Sequence, residues 1–75
     1  MHVALVLEQT HINDAALREE TIKAVRTCRG VLNLDTEIAE NGLLLAILAS
    51  SADMPAVQAI NGIASVEAMG TKSAI

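Results

Sequence analysis

An α+β fold with the element order β-α-β-β-α-β is predicted by three observations. Two segments, Val3-Ala4-Leu5-Val6-Leu7 and Leu43 to Ala49, are apolar at every position, as strands in the middle of a sheet are. Two others, around Leu32–Ile38 and Ile63–Met69, carry acids among their apolar residues, as edge strands do. Between the strands lie two segments with helix start and stop signals, ending near Gly30 and at Asn61-Gly62.

Residues 3–8 read as the first strand. Asn13 and Asp14 supply N-cap oxygens for a helix over 15–28. On its wheel Leu17, Thr21, Ala24, Val25 and Cys28 share one arc, with Ile22 at the margin, while Glu19, Lys23 and Arg26 face away. Gly30 is the expected left-handed C-cap, and Val31 supplies the apolar contact that accompanies such a cap. Leu32, Leu34, Thr36 and Ile38 then alternate with Asn33, Asp35 and Glu37, the pattern of a half-buried strand. Asn41-Gly42 is a strong hairpin signal, because a type I′ turn needs positive φ at both central residues. A two-residue turn there sets Ile38 opposite Leu45, Thr36 opposite Ile47 and Leu34 opposite Ala49. A short helix is expected over 53–60, capped by Asp53 or Ser51, with Pro55 tolerated in its first turn. Residues 63–69 form the last strand, and 70–75 read as a tail to a single domain spanning 1–75.

Gly30-Val31-Leu32-Asn33-Leu34-Asp35 is echoed by Gly62-Ile63-Ala64-Ser65-Val66-Glu67: glycine, β-branched, two residues, aliphatic, acid. Each copy follows a helix and opens a strand, as two halves of a split βαβ would. The order is that of the ferredoxin-like plan, a four-stranded antiparallel sheet with two helices on one face. The unalternating segments take its central positions and the acid-dotted ones its edges. With the hairpin register above, Val3, Leu5, Leu7, Leu32, Leu34, Ile38, Leu45, Ile47 and Val66 lie under the helices. The open face then carries Ala4, Val6, Leu44, Ala46 and Leu48, rimmed by Glu8, Asn33, Asp35 and Glu37. An apolar centre with a polar rim has the character of a binding surface. Ala4, Val6, Leu44, Ala46, Leu48, Asp35 and Glu37 are therefore the candidate partner-binding residues. Charged substitution of Leu44 and Leu48 is expected to abolish association and leave the fold intact.

The chain has no aromatic residue, so its core is built from aliphatic side chains, each contributing about 1.5–3 kcal/mol when fully buried and less for alanine. A chain of this size buries about 60% of its unfolded surface, so association that covered the second sheet face would add stability. The net charge of −4 and the missing aromatics exclude the usual nucleic-acid binders, which need a basic surplus and stacking rings. Arg18, Lys23, Arg26 and Arg29 cluster on or just after the first helix, where Glu19 and Glu20 make a solvated, paired face. The N-terminal apolar stretch is too short for a signal peptide or membrane span, so a cytoplasmic location without membrane attachment is expected.

No catalytic set stands out, and a non-enzyme is expected. His2 and His11 read as exposed and inert, and lone Cys28 as a small buried hydrophobe. A zinc site wants three or four ligands. Asp35 and Glu37 lie roughly 7 Å apart on one strand face, on an edge strand where the burial that acid–base work needs is not expected. The glycines are turn glycines, without the arginine-bearing anion loop of acylphosphatases, which share the fold. No cofactor is implied.

The layout resembles the propeptide-like inhibitors of subtilisin-type proteases. HVALVLE looks like their opening strand, residues 31–51 like their second and third strands, and GIASVE like their closing D-V-x-x-V-E strand. Their aromatic positions are missing, and Asn41-Gly42-Leu43 stands where they have Asn-Gly-Phe. That resemblance implies contact with a protease through the open face and through residues 69–75. The pattern is also similar to NapD-type signal-peptide-binding chaperones and to ACT-like regulatory modules, the latter implying a small ligand held between protomers. The expectation favoured by the residues is a small acidic module, of the size and charge of phage-encoded or regulatory factors. It binds or inhibits a larger protein through the open face, or forms a homodimer by it.

Overall fold

All four expected strands are present in the computed structural model, which describes residues 1–69. Strands β1 (His2–Leu7), β2 (Val31–Asp35), β3 (Leu43–Leu48) and β4 (Ile63–Ala68) form one antiparallel sheet in the order β2-β3-β1-β4. This is the α+β, ferredoxin-like arrangement, with the two unalternating strands in the centre. Helices α1 (Gln9–Asn13), α2 (Ala15–Arg26) and α3 (Met54–Gln58) complete it. The tail expected at 70–75 lies outside the described residues.

Asp14 caps α2 as its sequence position predicts: Oδ1 accepts the N–H groups of Ala16 and Leu17 at 2.9 and 3.2 Å. These are two of the amides that a helix start otherwise leaves without partners. Asp14→Ala is expected to lower stability by about 1 kcal/mol, read as a fall in the urea midpoint with an unchanged slope. The second cap differs from expectation. Ser50 begins a 3-10 turn over Ser51–Asp53 that runs into α3, and a capping box joins Ser50 to Asp53. The Ser50 Oγ accepts from Ala52 N–H, and Asp53 Oδ2 accepts from Ser50 N–H.

The glycine echo is structural. Val31 N–H donates to Cys28 O and Ile63 N–H to Ile60 O, closing the same turn over Gly30 and Gly62, with φ of 97° and 100°. Each turn drops the following β-branched residue toward the core.

Helix α1 was not expected, because QTHIN has no apolar periodicity. It is held by two side chains that land on glycines. The His11 ring lies over Gly62 and Ile12 over Gly42, each so close that a Cβ on the glycine would overlap it. Backbone bonds from Leu7 N–H to Gly42 O and Glu8 N–H to Gly62 O tie the end of β1 to the same two glycines. His11 is thus 7% exposed rather than solvated, with Nδ1 3.1 Å from Thr10 Oγ1.

The main correction concerns β3. Strand β2 pairs with it through Leu34↔Ala46 and Asp35↔Leu45, a register three residues away from that of a tight Asn-Gly hairpin. Three is odd, so every β3 side chain changes face. Leu44, Ala46 and Leu48, expected on the open face, are 0%, 3% and 0% exposed in the core. Leu45 and Ile47, expected under the helices, are on the open face instead. The cause is the connection: Ala39–Asn41 form a 3-10 turn with Ala39 buried, and Gly42 (φ 88°) caps it and receives Ile12. The longer loop also removes Thr36, Glu37 and Ile38 from the strand.

Beneath the helices the core joins Val3, Leu5 and Leu7 of β1 to Leu44, Ala46 and Leu48 of β3. Ile22 and Val25 of α2, Val57 of α3, Ile63 and Ala39 close it. Ile22, placed at the margin by the wheel, is buried, while Ala24 is exposed. Leu34, Val66 and the half-buried Cys28 pack against this cluster as expected. Leu32 does not: the register shift between Val31 and Asn33 leaves it 68% exposed.

Candidate functional site: the open sheet face

Strand pairing places the open-face residues in three rows. Asp35, Leu45, Ala4 and Glu67 run straight across all four strands. On one side lie Asn33, Ile47 and His2, extended by Met69, whose N–H donates to His2 O at 2.9 Å. On the other lie Leu43, Val6 and Ser65. The two central columns, β3 and β1, are apolar apart from His2, and the two outer columns are mainly polar. Ala4, Val6, Leu43, Leu45 and Ile47 are only half-buried, whereas their neighbours in the same strands are buried under the helices. A shallow groove of about 230 Å³ runs over Leu45 and Ile47, bordered by His2, Asn33, Asp35 and Met69.

Of the expected partner-binding residues, Ala4, Val6 and Asp35 occupy this face. Leu44, Ala46 and Leu48 belong to the core, and Glu37 sits past the end of β2, its N–H donating to Asp35 Oδ1 at 2.9 Å. Leu43, Leu45, Ile47 and Glu67 replace them. Expected rim member Glu8 starts the turn into α1, with Oε1 3.9 Å from His11 Nδ1.

The sheet edges are partly closed. Along β4, Val66 N–H donates to Gln58 Oε1 and Gln58 Nε2 donates to Ala64 O, so one side chain imitates a strand. In β2, Leu34 N–H donates to Asn33 Oδ1 at 2.9 Å. Such self-satisfaction discourages strand addition, leaving the face as the larger incomplete surface.

Charge divides between the two sides. Among the described residues no strand contains Lys or Arg. Arg18, Lys23 and Arg26 are on α2, and Arg29 follows it. The expected pairing with Glu19 and Glu20 is not formed: among the described residues no Lys or Arg meets a carboxylate within 4.0 Å. Instead the Arg18 guanidinium donates to Ile12 O at 2.7 Å, fastening α1 to α2. Exposed ion pairs contribute little, so hydrated charges are the ordinary outcome.

Among the described residues no group of three or more His, Cys, Asp or Glu is placed to hold a metal ion. No described helix is long and apolar enough to cross a membrane. The segment 69–75 implicated by the protease-inhibitor resemblance lies, beyond Met69, outside the described residues. Fold and site together define a small α+β module with helices on one side of its sheet and an apolar face on the other. No protein-family model, curated protein or solved structure matches the chain.

Proposed function

We propose that this chain is a non-catalytic protein-binding module that docks a protein partner on its open sheet face. The observation that carries the reading is the apolar block of Ala4, Val6, Leu43, Leu45 and Ile47, half-buried between polar outer columns. A sheet in a layered domain is ordinarily covered on any face this apolar, and exposed apolar patches with polar rims favour association. The blunted edges support the face over the edge as the point of attachment.

The test is capture of one identified protein, followed by reconstitution of the complex from purified components with wild type, Leu45→Glu and Ile47→Glu. Both substitutions are expected to retain the wild-type circular dichroism spectrum and to lose the partner. Undiminished binding by both folded variants would sink the reading. Light scattering on the isolated chain tells whether a second copy covers the face: a dimer would fall to a folded monomer in Leu45→Glu.

A further inference from the structure

We infer that the occupant of the open face is an amphipathic α-helix of another protein, with an apolar stripe flanked on both sides by lysine or arginine. This rests on the reading of that face as a docking surface, and it adds the shape and charge of what docks. Three observations lead to it.

The first is the row Asp35-Leu45-Ala4-Glu67, in which one acid stands at each end of an apolar middle. Three strand spacings separate the acids, or roughly 14 Å. A helix with its side chains is about 10–12 Å across, so one lying along β3 and β1 fits between the two carboxylates. Its apolar stripe would cover Leu43, Leu45, Ile47, Ala4 and Val6. Long basic side chains on either flank reach outward to Asp35 and Glu67, their stems covering apolar surface on the way.

The second is the charge division. A second copy facing the first would bring Asp35 and Glu67 from both chains into one interface, with no Lys or Arg on any described strand to answer them. Like charges across an interface select against that pairing. Head-to-tail stacking fares no better. The outer side of α2 sets Glu19 and Glu20 beside its bases, and its exposed apolar residues are the alanines 15, 16 and 24. The third is the pair of side-chain clamps at Gln58 and Asn33, which disfavour a strand added at an edge and leave the face as the place of docking, where the spacing of the two acids suits a helix.

The probes are two synthetic helical peptides of about 18 residues, about 27 Å long, enough to cover a six-residue strand. Both carry the same leucine stripe and one tryptophan; lysine flanks the stripe in one and glutamate in the other. The chain has no aromatic residue, so tryptophan emission reports on the peptide alone. The lysine-flanked peptide is expected to bind with a blue shift, and the glutamate-flanked one is not. Asp35→Asn and Glu67→Gln, both at exposed positions, should each weaken binding about two- to fivefold. That difference should vanish at about 1 M salt, and Leu45→Glu should abolish binding.

Equal binding of both peptides, lost in Leu45→Glu, would overturn the basic-flank inference while the docking surface stood. Binding of the lysine-flanked peptide that ignores all three substitutions would overturn it as well, placing the peptide elsewhere. No binding of either peptide would reject the helix, and the reconstitution experiment above would still judge the face. A wild-type dimer that Leu45→Glu dissociates would overturn it in favour of a second copy.

Discussion

Gly62→Ala is expected to lower the unfolding free energy by about 2–5 kcal/mol, the larger share of what a domain of this size has. Two costs add. The residue holds φ at 100°, where any Cβ is strained by about 1–2 kcal/mol. The new methyl would also stand 2.2 Å from Thr21 Oγ1 and 2.6 Å from His11 Cδ2. Neither neighbour is free to retreat. Thr21 is β-branched, buried on α2, and its hydroxyl donates to Asn61 O at 3.1 Å; the His11 ring is buried between α1 and the turn. Overpacking of this kind adds about 1–3 kcal/mol. Urea unfolding followed by circular dichroism measures the loss. A double-mutant cycle with Thr21→Ala separates the terms: that change removes the closest atom and should restore part of the stability, but not the backbone share. A Gly62→Ala midpoint within error of wild type would contradict the packing of α1 on this turn.

Leu44→Glu and Leu45→Glu, one residue apart, are expected to have opposite consequences. Leu44 is fully enclosed among the core side chains. Truncating such a leucine to alanine alone costs about 2–5 kcal/mol, and a carboxylate with no partner there costs more. Leu44→Glu should show no cooperative unfolding and no methyl dispersion in its proton spectrum. Leu45 lies on the open face beside Ala4 and Asp35, half in water. Leu45→Glu should keep the wild-type spectrum, with a small change in midpoint. Reading Asn41-Gly42 as a two-residue hairpin turn predicts the reverse, so the pair discriminates between the two registers directly. A folded Leu44→Glu with an unfolded Leu45→Glu would return β3 to the other parity.

Much of the architecture was legible locally. Asp14 before an amphipathic segment, Gly30 and Gly62 after helices, and Pro55 in a first turn are signals carried within a few residues. They act the same way wherever the chain is placed, because they answer to backbone sterics and unpaired amides. The central rank of β1 and β3 was legible too, since only strands covered on most sides are apolar throughout. Helix α1 was not: its stability comes from His11 and Ile12 reaching Gly62 and Gly42, residues far along the chain.

The candidate surface was half legible for a related reason. Asp35 followed from the polar edge of β2, and Ala4 and Val6 from setting Val3, Leu5 and Leu7 on the core face, although β1 is itself apolar throughout. Leu43-Leu44-Leu45-Ala46-Ile47-Leu48 has no alternation, so its pattern is satisfied equally by either face and carries no parity. Parity is then set by the length of the connection from β2. Asn41-Gly42 suits a two-residue turn as an isolated peptide. In the folded chain Ala39 is drawn into the core, Ile12 covers Gly42, and Gly42 O accepts the Leu7 N–H of a third strand. Local sequence thus determines the four strands and the two helices between them, and their order, while α1 depends on distant contacts. Packing between distant segments decides which leucines are core and which lie on the open face, because that choice depends on register, and register here is held by contacts that no local window contains.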